Sequence, residues 1–124
     1  MRTLFLVSLL MASAPALALD MTQPVLDADG KAAHEGKAFD SPVLTLGAVV
    51  SSALFAPPLG SDGKPSQFDA LRLGRRAALA LRLRDAKAAD ISAEEVIEIK
   101  DAIRIFPPLT VLRVLQAVDP AALK

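Results

Sequence analysis

The apolar positions of the second half of the chain recur at helical spacing. In "ISAEEVIEIKDAIRIF", Val96, Ile99, Ile103 and Phe106 follow one another at intervals of 3, 4 and 3 residues. That period lays a stripe along one face of a helix and predicts a buried side. Ser92, with Glu95 three residues on, forms an S-x-x-E capping box, and Ile91 and Val96 flank it as a hydrophobic staple. Glu94, Glu95 and Glu98 come early and Arg104 late, which suits the helix dipole. "FPPLT" then breaks the helix at Pro107-Pro108. Because Pro is tolerated in a first helical turn, a further helix starts at once and runs to Asp119-Pro120.

Two helices are expected upstream. The first runs from about Leu46 to Phe55, with Thr45 as its cap and Pro57-Pro58 as its stop. Val49, Val50, Ala53 and Leu54 cover much of its circumference, so it should be largely buried. The second starts near Ser66, with Asp69 in its first turn, and reaches about Ala86. Plotted at 100° per residue, Ala70, Leu71, Leu73, Gly74, Ala77, Ala78 and Leu81 make one broad apolar face. Arg72, Arg75, Arg76 and Arg82 fall on the opposite arc, together with Phe68, Leu79 and Leu83. The small residues predict that the first of these arcs packs closely on the core.

Residues 19–45 form a polar lead-in, and residues 46–124 the helical domain. Within the lead-in, Pro24–Leu26 and Val43–Leu46 are short apolar runs that leave room for a minimal two-stranded β-ribbon. The expected fold is therefore mainly α: a small four-helix domain with a short N-terminal β-ribbon. A chain of 124 residues supplies one such domain.

Composition changes this picture mainly at the N-terminus. The hydrophobic share is 52%, swollen by "MRTLFLVSLLMASAPALAL". Arg2 is a positive n-region, Leu4–Met11 an apolar h-region and Ala16-Leu17-Ala18 a small-x-small cleavage site. A transmembrane helix needs about 20 apolar residues. This run is shorter and is interrupted by Ser8, Ser13 and Pro15. Residues 1–18 thus read as a signal peptide, leaving a periplasmic or secreted chain without a membrane anchor. The other reading starts a cytoplasmic chain at Met21, with residues 1–20 outside the protein.

Charge and chemistry narrow the function classes. The 14 basic and 14 acidic residues cancel, unlike the strong positive balance of a dedicated nucleic-acid binder. With no Cys and one His, disulfides, thiol chemistry and the usual zinc sites are excluded. His34 and Glu35 offer no nucleophile with an orienting partner. "DADGK" resembles part of a calcium loop. Aligning Asp27, Asp29 and Gly30 to its third, fifth and sixth positions, however, leaves Val25 and Gly36 where acidic ligands are needed. A turn is the better reading. Glu94, Glu95, Glu98 and Asp101 are accounted for by the helix dipole, without catalytic pairing. No catalytic, metal or cofactor-binding residue is assigned.

The candidate partner-binding residues are Arg72, Arg75, Arg76 and Arg82, as a surface for an unidentified protein partner. The competing use of these arginines is pairing with the acidic start of the next helix. The last helix carries Val111, Val114 and Val118 beside Leu109, Leu112 and Leu115, apolar on both sides. Either it lies centrally, or the chain forms a homodimer through Val111, Val114 and Val118.

"LTLG" leading into a small-residue helix, the Arg/Leu-rich helix, and "ISAEEVIEIKDAIRIFPPLTVLRVLQAVDP" resemble small proteins of tailed bacteriophages and prophages over about residues 25–120. That resemblance implies a cytoplasmic assembly or accessory role and favours the Met21 start. It carries no catalytic residues. The expectation is thus a non-enzymatic helical interaction protein, exported to the periplasm, with the cytoplasmic phage-type protein as the alternative and an enzyme the remotest reading.

Overall fold

Thr45 opens the first helix, its side chain accepting a hydrogen bond from the backbone N–H of Ala48 at 3.2 Å. The computed structural model describes residues 17–34, 42–60, 62, 64 and 67–124. Among these it contains four α-helices: α1 (Leu46–Phe55), α2 (Ala70–Leu83), α3 (Ala93–Ala102) and α4 (Pro108–Val118). The chain is mainly α, as its periodicity requires. A single 3₁₀ turn, Ile103–Ile105, links α3 to α4 across the Pro107-Pro108 break. None of the described helices is long and apolar enough to cross a membrane.

The N-terminal caps follow local chemistry closely. Ser92 accepts from the Glu95 N–H at 3.2 Å, and the Glu95 carboxylate accepts from the Ser92 N–H at 3.0 Å, completing the capping box. Ile91 is buried and Val96 packs on the core, as a staple should. Ser92→Ala is expected to cost about 1 kcal/mol. It should lower the urea midpoint without changing the slope; an unchanged midpoint would mean that the box contributes nothing. Asp69 caps α2, accepting from the Arg72 N–H at 2.7 Å, whereas Ser66, the expected start, lies outside the described residues. The helix is shorter than expected at both ends.

α1 is the central element. Leu46, Gly47, Val49, Val50, Ser51, Ala53 and Leu54 are all buried on it. α2 packs on one flank of α1, and α3 with its 3₁₀ extension also packs against it. Ile99 and Ile103 of the predicted stripe are fully buried, with Val96 and Phe106 at the margin of the core. From α4, Val114 and Val118 complete the core. The valines suggested for a homodimer are therefore spent inside the chain: Val114 and Val118 are buried, and Val111 is partly buried against the core. The apolar residues that α4 leaves in solvent are Leu109 and Leu112.

The sheet lies elsewhere than expected. β1 (Leu17–Leu19) runs antiparallel to β2 (Ala89–Ile91), with Leu17 opposite Ile91 and Leu19 opposite Ala89. β2 alternates buried, exposed, buried over three residues, too short a run to stand out in the sequence. The two runs proposed for a ribbon share one isolated bridge, Pro24 with Thr45, and each also bridges to residues 32–34, Leu26 with Ala32 and Val43 with His34. Between them the backbone closes a three-way ring. Val25 N–H donates to Leu44 O at 2.8 Å, Leu44 N–H to Ala33 O at 2.7 Å, and Ala33 N–H to Val25 O at 2.8 Å.

Met21 pins this lead-in to the helices. It is fully buried, its N–H donates to Ala86 O at 2.9 Å, and its carbonyl accepts from Gly47 N–H at 2.7 Å. The start of α1 and the end of α2 are thereby held on either side of one residue.

Candidate functional site

The arginines of α2 lie against the acidic side chains of α3. Arg82 reaches Glu95 at 2.8 Å, near the start of α3. Arg72 meets Glu98 at 3.2 Å, one turn further on. Arg76 lies between them in sequence and spans both Glu98 at 3.6 Å and Asp101 at 3.4 Å. Arg104 closes the chain of charges, 3.0 Å from Asp101, and also donates to Leu59 O at 2.6 Å. Glu95, Glu98 and Asp101 follow at intervals of three residues and so form a row on one side of α3, where the arginines meet them.

Arg76 is the unexpected member. Its side chain is only 2% exposed, whereas those of Glu98 and Asp101 are 23% and 29% exposed. Burial pulls the Arg76 guanidinium below its usual pKa, and the two carboxylates oppose that pull. Arginine starts so high that it stays charged at neutral pH. Phe68 lies under the pair, its ring centroid 3.6 Å from the Arg72 guanidinium carbon and 5.3 Å from that of Arg76. This is cation–π distance, and it extends the network to the entry of α2.

Glu95 serves two structures at once. Burial raises its pKa, but the Arg82 hydrogen bond and the Ser92 backbone N–H outweigh burial, and the net shift is downward. The carboxylate that caps α3 is therefore held ionised by α2.

Of the four arginines proposed for partner binding, Arg76 is buried and Arg72 and Arg82 are engaged within the chain. Arg75 is exposed and is the one of the four with no ion-pair partner among the described residues. Glu94 is its counterpart on α3, exposed and likewise without one. Both line an open groove of about 640 Å³ between α2 and α3, together with Ala78, Leu79, Arg82 and Ser92.

The two faces of α2 are reversed from the expected arrangement. The arc that carries the arginines turns inward and buries Arg76, Leu79, Ala80 and Leu83. The small-residue arc turns outward: Gly74 and Ala78 are exposed, Leu71 is 64% exposed and Leu81 59% exposed. The physical reason is a tertiary one. Carboxylates on α3 neutralise the inward arginines, their stems pack like hydrocarbon, and Leu79 and Leu83 supply the apolar volume. The wheel of α2 alone shows two apolar arcs and does not choose between them.

The remaining candidates lie on the lead-in, away from the arginines of α2. The Asp27 carboxylate accepts from the N–H groups of Asp29 and Lys31, both at 2.9 Å, and Gly30 takes φ 79°. "DADGK" is therefore a closed turn with its first carboxylate occupied by the backbone. Arg113 clamps it to α4, donating to Asp27 O at 2.7 Å. His34 lines a shallow groove of about 370 Å³ with Leu44, Ala48, Val49 and Phe106, and its neighbour Glu35 lies outside the described residues. No group of three or more His, Asp or Glu side chains among the described residues is placed to hold a metal.

Comparison of the chain with family models, with curated proteins and with solved structures finds no match.

Proposed function

We propose that the chain is a non-enzymatic helical interaction protein, exported to the periplasm, whose contact surface is the outer face of α2 with Arg75 on its rim. One observation carries this reading. Leu71, Gly74, Ala78 and Leu81 follow at intervals of 3, 4 and 3 residues, the same spacing as the core stripe of α3. Yet this second stripe is exposed along its length. Single exposed leucines are ordinary, but an aligned apolar ridge flanked by charge is the usual form of a protein contact. The partner-binding role first given to all four arginines narrows to Arg75, because the other three are occupied by α3.

Export is supported by the order of Arg2, the apolar run Leu4–Met11 and the small-x-small Ala16–Ala18. The surroundings of Met21 support a start upstream of it. A chain beginning there would put a charged ammonium on a fully buried residue, a cost on the order of several kcal/mol. Cleavage after Ala18 avoids this, since Leu19 and Asp20 remain ahead of Met21; it also removes Leu17 and Ala18, which pair with Ile91 and Asp90, and so reduces β1 to the pairing of Leu19 with Ala89.

The intact mass of the protein purified from its own host is expected to correspond to a chain starting at Leu19. A mass that starts at Met21 would replace export with the cytoplasmic, phage-type reading, and a full-length mass would remove processing altogether. For the surface, the Leu71→Glu/Leu81→Glu variant should keep the helical circular dichroism and lose whatever complex the wild type forms in native-host extract. A complex that survives both charges does not use this face.

A further inference from the structure

We propose that the partner of the α2 face is a second copy of this chain, with α2 packed antiparallel on α2 and Arg75 of each copy paired with Glu94 of the other. This rests on the interaction-module reading and names its partner.

The charge pattern argues for self-association. On the α2–α3 surface, Arg72, Arg76 and Arg82 have carboxylate partners within the chain. One cation, Arg75, and one anion, Glu94, are left over on the same groove. A surface with one unpaired charge of each sign is complementary to itself under a two-fold axis, where every contact is made twice. A partner of one charge would satisfy only half of it.

The shape of the ridge supplies a register. Gly74 sits inside a helix, where it forfeits helix propensity. A Cβ built there meets nothing within 4 Å, so the chain's own packing gives no reason for the glycine. Seating Leu81 of one copy over Gly74 of the other supplies that reason and sets the two-fold axis between Ala77 and Ala78. Arg82 reaches Glu95, so the start of α3 lies beside the Arg82 end of α2. In the antiparallel register that end of one copy lies over the Arg75 end of the other. Glu94 of each copy is thereby carried toward Arg75 of its mate. The leucines form the apolar centre and the charge pairs the rim.

Sedimentation equilibrium of the protein as processed by its host tests this. The wild type is expected to show a monomer–dimer equilibrium. Arg75→Glu and Glu94→Arg should each weaken the dimer by about tenfold or more, and the double variant, which reverses both pairs, should recover most of the loss. Leu81→Glu should leave a folded monomer. Gly74→Ala separates the two roles of the glycine: it should raise the melting temperature of the monomer by about 4 °C and still weaken the dimer. A wild type that stays monomeric at millimolar concentration overturns the proposal, as does a dimer indifferent to these changes or a double charge swap without recovery. If the monomer nevertheless enters a Leu81-dependent complex in native-host extract, the face is an interface for another protein and only the identity of the partner fails. If no complex forms either, the interaction reading falls as well.

Discussion

Gly47→Ala is expected to destabilise the protein by about 3 kcal/mol or more, a large fraction of the stability of a small domain. The sign runs against helix propensity, which alone would make alanine the better residue by about 1 kcal/mol. The cause is the crossing of α1 over the end of α2. A Cβ on Gly47 would lie 2.8 Å from Leu83 O, and closer still to Arg84 O. These are backbone atoms and cannot swing aside as a side chain would. Retreat of α1 is blocked in turn, because Gly47 N–H donates to Met21 O and Met21 N–H to Ala86 O. Moving one partner opens the fully buried Met21 position. Urea unfolding followed by circular dichroism gives the measurement. A variant as stable as the wild type would mean that α1 and α2 do not approach this closely.

Arg76→Ala is the second large effect, expected at about 2–3 kcal/mol. Full burial of a charged side chain usually implies that its loss strands other charges. Here that term is softened. Glu98 keeps Arg72, Asp101 keeps Arg104, and both carboxylates are partly exposed. The cost then comes mainly from the space left by the arginine stem, which packs where a core residue would. Arg76→Met fills much of that space and should recover most of the loss. Unfolding midpoints of the two variants decide the point. If methionine is as damaging as alanine, the charge pairs rather than the packing hold α2 to α3. If neither variant matters, the network is ornamental to stability.

The legible parts of the fold share a physical basis: each is specified within a few residues. The capping box at Ser92, the staple of Ile91 and Val96, the proline break after Phe106 and the turn at Asp27–Gly30 all close their hydrogen bonds or contacts locally. The buried stripe of α3 was likewise readable, because Glu94, Glu98 and Asp101 lie on the opposite side, where only Ile97 of α3 is a large apolar residue left in solvent. The pairing of α2 arginines with Glu95, Glu98 and Asp101 was readable as charge complementarity, though not as geometry.

Other features were not legible, for equally definite reasons. α2 offers apolar residues on two arcs, so burial depends on what α1 and α3 present to it. A strand of three residues such as β2 has no period of its own; its partner, β1, comes from some seventy positions away in the chain. The pattern of α4 favoured a central, buried helix over a valine-lined homodimer without excluding the latter, and the core claimed Val114 and Val118.

The glycines draw the same line most sharply. Gly30, Gly47 and Gly74 are the same letter. The Asp-Ala-Asp-Gly context alone marks Gly30 as the residue for positive φ, since the Asx turn that demands it is built from its neighbours. Gly47 and Gly74 have no such local signal: both lie within helices, and their neighbours demand no special backbone conformation. Tertiary structure separates them, by setting the carbonyls of Leu83 and Arg84 against Gly47 and leaving Gly74 open. Helix positions, caps and turns were thus determined along the chain, because their partners lie within about one turn. Which face of α2 is buried, and where a residue must have no side chain, was decided only when distant segments met, because those answers are properties of the neighbour.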